Sequence, residues 1–143
     1  MEPSVAERRT LFAALADPLR LRLACCLAAH PEGLCVCELT EALRASQPNV
    51  SQHLRLLKAA GLAADARDGR FVYYRLRRGP ARAADPLLES LRACLASCTC
   101  CVEVKEDLSR LRRRLGLRRG GKCVIGFRPG RKSARRAGKG GRR

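Results

Sequence analysis

Apolar residues recur at helical spacing through the first sixty positions, shift to a strand-like pattern, and then return to helical spacing. In "VAERRTLFAALAD", Val5, Leu11, Phe12 and Leu15 fall near one helical face. Asp17-Pro18 then starts a new helix, with Asp as a good N-cap and Pro suited to the first helical position. The segment "PLRLRLACCLAAH" places Leu19, Leu23, Cys26 and Leu27 on one face, and His30-Pro31-Glu32-Gly33 ends it. Two short helical stretches follow, "CVCELTEALR" and "QPNVSQHLRLLKAAG", joined by Ala45-Ser46. Ser46 can cap the second stretch, Pro48 lies in its first turn, and Gly61 supplies the stop. Two helices with so short a connection predict a helix-turn-helix.

Then the period changes. "LAADARDGRFVYYRL" holds Asp68-Gly69, a two-residue hairpin signal between two arms, the second rich in β formers. The predicted fold is mainly α with a small β-hairpin, a winged helix-turn-helix. From Asp85-Pro86 the pattern predicts one long helix. Leu88, Leu91, Leu95, Cys98 and Val102 form a 3-4-3-4 seam along it, suited to packing lengthwise on another helix. That partner helix can belong to the same domain. After "LRRRLG" the pattern stops. Residues 1–116 read as one winged helix-turn-helix domain, and residues 117–143 as a disordered basic tail rich in Gly, Arg and Lys.

Charge sharpens this division. The 143-residue chain carries a net charge of +17. Residues 117–143 hold 11 Lys/Arg and no Asp/Glu, whereas residues 1–116 hold 19 basic and 13 acidic groups, a net +6. A basic body suits a polyanion, with nucleic acid first among candidates. No run of 18 apolar residues is present, which argues against a membrane span. "MEPSVAERRT" lacks the features of a signal peptide, so a cytoplasmic location is expected. In that compartment nine cysteines predict metal binding, redox chemistry or burial rather than a disulfide framework.

The second helix of the pair has two distinct sides. Val50, Leu54 and Leu57 form the buried one. Gln47, Ser51, Gln52, Arg55 and Lys58 lie opposite, a set suited to base edges and phosphates of double-stranded DNA in the major groove. Arg55 and Lys58, further along, suit phosphates. His53 sits at the edge, as a structural or phosphate-contacting side chain. Arg67 and Arg70 flank the hairpin tip, where an arginine can enter a minor groove.

Four motifs in order, "ALADPLRLRLACCL", "LCVCELTEAL", "SQPNVSQHLRLLKAAGL" and "DGRFVYYRL", resemble the arsenical-resistance repressor family, ArsR/SmtB. The resemblance covers roughly residues 5–102. It implies a homodimeric winged-helix repressor that leaves its operator when a metal or metalloid binds. It also implies that the terminal helices, including Leu88, Leu91, Leu95, Cys98 and Val102, form the dimer interface. The zinc-sensing pattern of Asp, His and Glu on the last helix has no match, because the two histidines are His30 and His53. The cadmium/lead arrangement needs an earlier cysteine, and none precedes Cys25. The arsenic-sensing subgroup has "CVC" at the start of the first helix of the reading pair, as at Cys35 and Cys37 here. A third cysteine three residues later occurs in some members, and Thr40 stands at that position in this chain.

Trivalent arsenic or antimony is soft and prefers three thiolate sulfurs. On a regular helix Cys35 and Cys37 would point about 200° apart, so the first turn must unwind for both to reach one ion. "CLASCTCC" offers third ligands. Cys94, Cys98 and Cys101 fall on one helical stripe, and Cys100 points elsewhere. Cys98 and Cys101 also have CxxC spacing, which leaves open a thiol-redox or sulfur-species sensor, or plain packing. Cys25 and Cys26 read as core, and Cys123 as incidental. A CxxC thiol oxidoreductase lacks the βαβ pattern it would need, and no nucleophile–base pair or phosphate loop appears, so no enzyme is expected.

Overall fold

The computed structural model describes residues 2–78, 85–98 and 101–126. In chain order the elements are α1 (Val5–Leu15), α2 (Pro18–Ala29), β1 (Leu34–Cys35), α3 (Val36–Leu43), α4 (Gln47–Ala59), β2 (Ala63–Asp68), β3 (Phe71–Leu76), α5 (Pro86–Ala96) and α6 (Val102–Leu115). The three strands form one antiparallel sheet in the order β1-β3-β2. Helices with a small antiparallel sheet after a helix-turn-helix make a winged helix.

Local chemistry accounts for the boundaries. Asp17 caps α2 by accepting from the Arg20 N–H at 3.0 Å, with Pro18 in the first turn. Asp85 caps α5 by accepting from the Leu87 and Leu88 N–H groups. In the wing, Asp68 pairs directly with Phe71, so the turn centres on Gly69-Arg70, one residue later than the dipeptide signal suggests. Gly69 has φ +61°, a conformation that suits the first central position of a type II′ turn.

The core gathers α2, α3, α4 and the wing. Leu23, Leu27, Leu39, Val50, Leu54 and Leu57 are fully buried. Truncating one of these leucines to alanine costs about 2–5 kcal/mol in such settings. Cys25 and Cys26 are buried with them, as expected.

The long C-terminal helix expected from Asp85 is instead two helices. α5 ends at Ala96, where the Ser97 hydroxyl bonds back to the Cys94 carbonyl at 2.9 Å, and Cys101 precedes α6 as its N-cap. Ser and Cys are weaker helix formers than the Leu and Ala before them. The seam is therefore divided. Leu88 and Leu95 are buried in the chain's own core, α5 packs on α2, Leu91 and Cys98 are half-buried, and Val102 is 65% exposed.

α6 is fastened by charge. The Arg22 guanidinium donates from Nε and Nη2 to the fully buried Asp107 carboxylate, both at 2.8 Å. Arg110 adds a bond to Asp107 at 2.7 Å and another to the Ala42 carbonyl at 2.6 Å. Asp107 thus joins α6 to α2, while Arg110 joins it to the end of α3. Removing one partner of such a buried pair strands the other charge.

Residues 117–126, expected as part of a disordered tail, pack against α3 and the wing. Residues 127–143 lie outside the described residues.

Candidate thiolate site and reading head

Cys35 is extended (φ −82°, ψ 159°), and it both ends β1 and N-caps α3. Cys37 lies in the first helical turn. Because Cys35 is outside the helix, the two side chains converge without unwinding, and the Sγ atoms are 2.8 Å apart. The distortion expected from regular helix geometry is not needed.

A third sulfur joins them from the C-terminal strap. Cys123 Sγ lies 3.5 Å from Cys37 Sγ, and all three sulfurs fall within 4.8 Å of one another. Cys123, read from the sequence as incidental, is buried beside this pair.

The strap follows from its sequence. After α6, Gly120 and Gly121 take positive φ (+58° and +74°), allowing a tight turn closed by the Arg119–Lys122 bridge. The Cys123 N–H donates to Tyr73 Oη at 2.9 Å. Arg118 makes a two-point bond to Glu38, both contacts at 2.7 Å, donates to the Gly33 carbonyl, and lies over the Tyr73 ring. Lys122 pairs with Asp68 on β2. Glu38 also accepts from the Cys35 N–H at 2.9 Å, so one buried carboxylate holds both the helix cap and the strap. Burial pushes the Glu38 carboxyl up, but the bonds from Arg118 and Cys35 outweigh it and leave the group below its ordinary range.

Arg114 supplies the site's positive charge. It is buried, pairs with Glu41, donates to the Ile125 carbonyl at 2.6 Å, and sets Nη2 3.8 Å from Cys37 Sγ and 3.7 Å from Cys123 Sγ. Its Nη1 has no hydrogen-bond partner among the described residues. The Cys35 thiol donating to Cys37, with Cys123 and Arg114 adding to it, lowers the Cys37 thiol to about 6. The same Cys35–Cys37 bond, together with burial, pushes Cys35 up, and burial raises Cys123. Cys37 is therefore the most acidic of the three thiols. A cavity of about 390 Å³ opens beside it, lined by Cys35, Cys37, Gln47, Arg70, Phe71 and Val72.

The expected third ligands are elsewhere. Cys94, Cys98 and Cys101 do not form a stripe, because α5 ends before Cys98. Cys98 and Cys101 bring their sulfurs to 3.8 Å, with Cys25 beneath them. Cys100 lies outside the described residues. Burial, with Cys98, Cys101 and Cys94 adding to it, pushes Cys25 up to about 12.

The reading face is only partly free. Gln47, Gln52 and Arg55 are exposed on α4, and Ser51 is half-buried. Lys58 pairs with Asp65 of β2 at 2.8 Å. His53 turns toward the body, with Nδ1 3.2 Å from Arg20 and 3.9 Å from Asp17. At the wing tip Arg67 bonds the Gly69 carbonyl, and Arg70 lies over Phe71 and reaches the Val124 carbonyl.

Sequence reasoning missed Cys123, Arg114 and Arg118. The available signals were a buried-type residue inside a basic tail, and Glu38 three residues after Cys35, where a cap acid is expected.

The model for "Bacterial regulatory protein, arsR family" matches residues 17–65. HlyU from Vibrio vulnificus, a transcriptional regulator of known structure, is 32% identical, with a TM-score of 0.52 over 66% of this chain and 90% of that one. The chain belongs to the arsR family. Another relative in this arsR group is the arsenic resistance transcriptional regulator ArsR1 of Pseudomonas putida, 44% identical over 57% of this chain and 62% of that protein. The arsenical resistance operon repressor of Escherichia coli is 48% identical over 46% of this chain and 56% of that protein. The chain thus spans less than two thirds of the length of these curated relatives. All three relatives are regulators or repressors of transcription, not enzymes. Among the described residues no helix is long and apolar enough to cross a membrane.

Proposed function

We propose that the chain is a transcriptional repressor acting as a homodimer on double-stranded operator DNA, and that trivalent arsenic or antimony bound by Cys35 and Cys37 releases it. The observation that carries this reading is the convergence of the two sulfurs to 2.8 Å where β1 meets α3. That point touches both the wing and the reading pair. The donors are all sulfur, which suits a soft, thiophilic ion over a hard one. The adjoining cavity of about 390 Å³ gives such an ion a way in. The names of the Pseudomonas putida and Escherichia coli relatives point to the same effector class. The exposed Gln47, Gln52 and Arg55 suit base and phosphate contacts. The exposed apolar Phe12 and Val102 leave surface for a second copy; a monomer in sedimentation at micromolar concentration would contradict the dimer.

The test is operator release. A duplex selected from a random pool is followed by fluorescence anisotropy during arsenite titration. The wild type is expected to release, and Cys35→Ser and Cys37→Ser to stay bound. Normal release by both variants overturns the reading.

A redox sensor built on Cys25, Cys98 and Cys101 is the competing reading, favoured by the 3.8 Å Cys98–Cys101 contact. A thiol-redox step starts from a thiolate. Cys25, pushed up to about 12 by burial, is held protonated at neutral pH.

A further inference from the structure

We infer that Cys123 is the third sulfur of the effector site, so that a single chain completes its own three-thiolate centre and the strap 117–126 is the element that closes it. This rests on the proposed arsenic reading of Cys35 and Cys37 and extends it. Three observations carry it together. The three sulfurs already lie within 4.8 Å of one another. The strap is held in that place by contacts that do not involve sulfur, namely Arg118 on Glu38, Lys122 on Asp68 and the Cys123 N–H on Tyr73 Oη. Arg114 is buried beside two of the sulfurs with Nη1 unpartnered among the described residues, a cation suited to a group that binds as thiolate.

Thr40 explains why the strap is needed. It stands one helical turn after Cys37, buried, with a hydroxyl that has no partner among the described residues. A hydroxyl is a hard donor and a poor substitute for sulfur toward trivalent arsenic. The strap supplies from outside α3 what the helix itself lacks.

The binding step balances without an oxidant. Arsenous acid, As(OH)3, meets three cysteines. Three As–O bonds break and three As–S bonds form. Each hydroxide leaves as water, carrying the proton of a thiol or, for Cys37, one taken from solvent. Arsenic stays trivalent and keeps its lone pair.

Two probes separate this inference from the reading beneath it. Arsenite has three exchangeable oxygens, whereas phenylarsine oxide, with one carbon fixed on arsenic, needs only two sulfurs. In wild type, arsenic-edge X-ray absorption should count three sulfurs around arsenite. In Cys123→Ser it should count two sulfurs and one oxygen, with arsenite affinity weaker by on the order of 100-fold. Phenylarsine oxide should bind wild type and Cys123→Ser within twofold of each other, and fail on Cys37→Ser. In the unmutated protein, bound arsenite should protect Cys123 from N-ethylmaleimide, read by peptide mass spectrometry. Three sulfurs in Cys123→Ser, or unprotected Cys123 in arsenite-bound wild type, overturns the inference while leaving the Cys35–Cys37 reading intact. Undiminished binding of both probes by Cys37→Ser overturns both.

Discussion

Two groups of cysteines sit at opposite fates in this molecule. Cys35, Cys37 and Cys123 meet where β1 enters α3, beside the guanidinium of Arg114. Cys25, Cys98 and Cys101 meet where α5 ends over α2, among core residues and other thiols. The element is the same in both places. What differs is the company: the Cys35 thiol bonded to Cys37, with Cys123 and the Arg114 charge adding to it, brings Cys37 down to about 6, while burial lifts Cys25 to about 12. Sulfur count alone does not set thiol acidity; the hydrogen bonds each sulfur receives decide whether burial prevails.

The largest break of this comparison is Cys37→Ser. It should abolish arsenite-driven operator release, a loss of at least about 100-fold in apparent arsenite affinity, whereas Cys98→Ser and Cys101→Ser should leave release within about twofold. Anisotropy titrations of the three variants check this, and equal losses in all three would erase the distinction between the groups.

Truncation separates the strap from the basic residues beyond it. Ending the chain after Gly126 removes eight Lys/Arg. It should flatten the salt dependence of DNA binding while leaving sequence preference and arsenite release unchanged. Ending it after Gly116 should do the same to the salt slope and also weaken arsenite binding by on the order of 100-fold. A salt slope untouched by either truncation would deny these residues a DNA contact.

Arg114→Met removes the cation from the first group and leaves Glu41 unpaired. Glu41 is partly exposed, so the expected loss is about 2 kcal/mol rather than the larger figure for a fully buried pair. Urea denaturation measures it. The same variant should raise the Cys37 titration only modestly, because the Cys35 and Cys123 thiols still bond to it.

The pH dependence of metal-free thiols sharpens the contrast further. The Cys37 acid is depressed in the fold, so its thiolate contribution is fully present above the unfolded value near 9 and is lost as pH falls through about 6. Iodoacetamide labelling of Cys37 should therefore rise with a midpoint near pH 6. Cys25 should stay silent through pH 9, because its acid form persists to about 12. Peptide mapping after timed quenching reads both sites at once. The smallest effect is expected at Thr40→Val, which removes a buried hydroxyl with no partner among the described residues and should change stability by less than about 1 kcal/mol.

Where the chain's own periodicity determines structure, the sequence is a sufficient text. The α4 face of Val50, Leu54 and Leu57 is fully buried, and the hairpin forms around the Gly69 turn. Those features are local, set by spacing and turn chemistry. The break between α5 and α6 was hidden because the 3-4-3-4 seam continues across Ser97 and Cys98, and spacing alone does not report a weak link. The strap was hidden for a different reason. Its composition matches that of a disordered tail, and its order comes from pairs distant in sequence, Arg118 with Glu38 and Cys123 with Tyr73. No window of local sequence carries that information. The convergence of Cys35 and Cys37 was likewise unreadable, because it depends on Cys35 being a strand residue, which only the pairing with Tyr73 makes it.

That double membership of Cys35 has a mechanical consequence. β1 is two residues long, and β3, its partner, is the central strand of the sheet. Any displacement of the Cys35 backbone must loosen this two-rung ladder or reorient the start of α3, since no loop stands between them to absorb it. Under the proposed reading, an ion seated at this joint would pull on the wing through β3 and on the first helix of the reading pair through α3 at the same time.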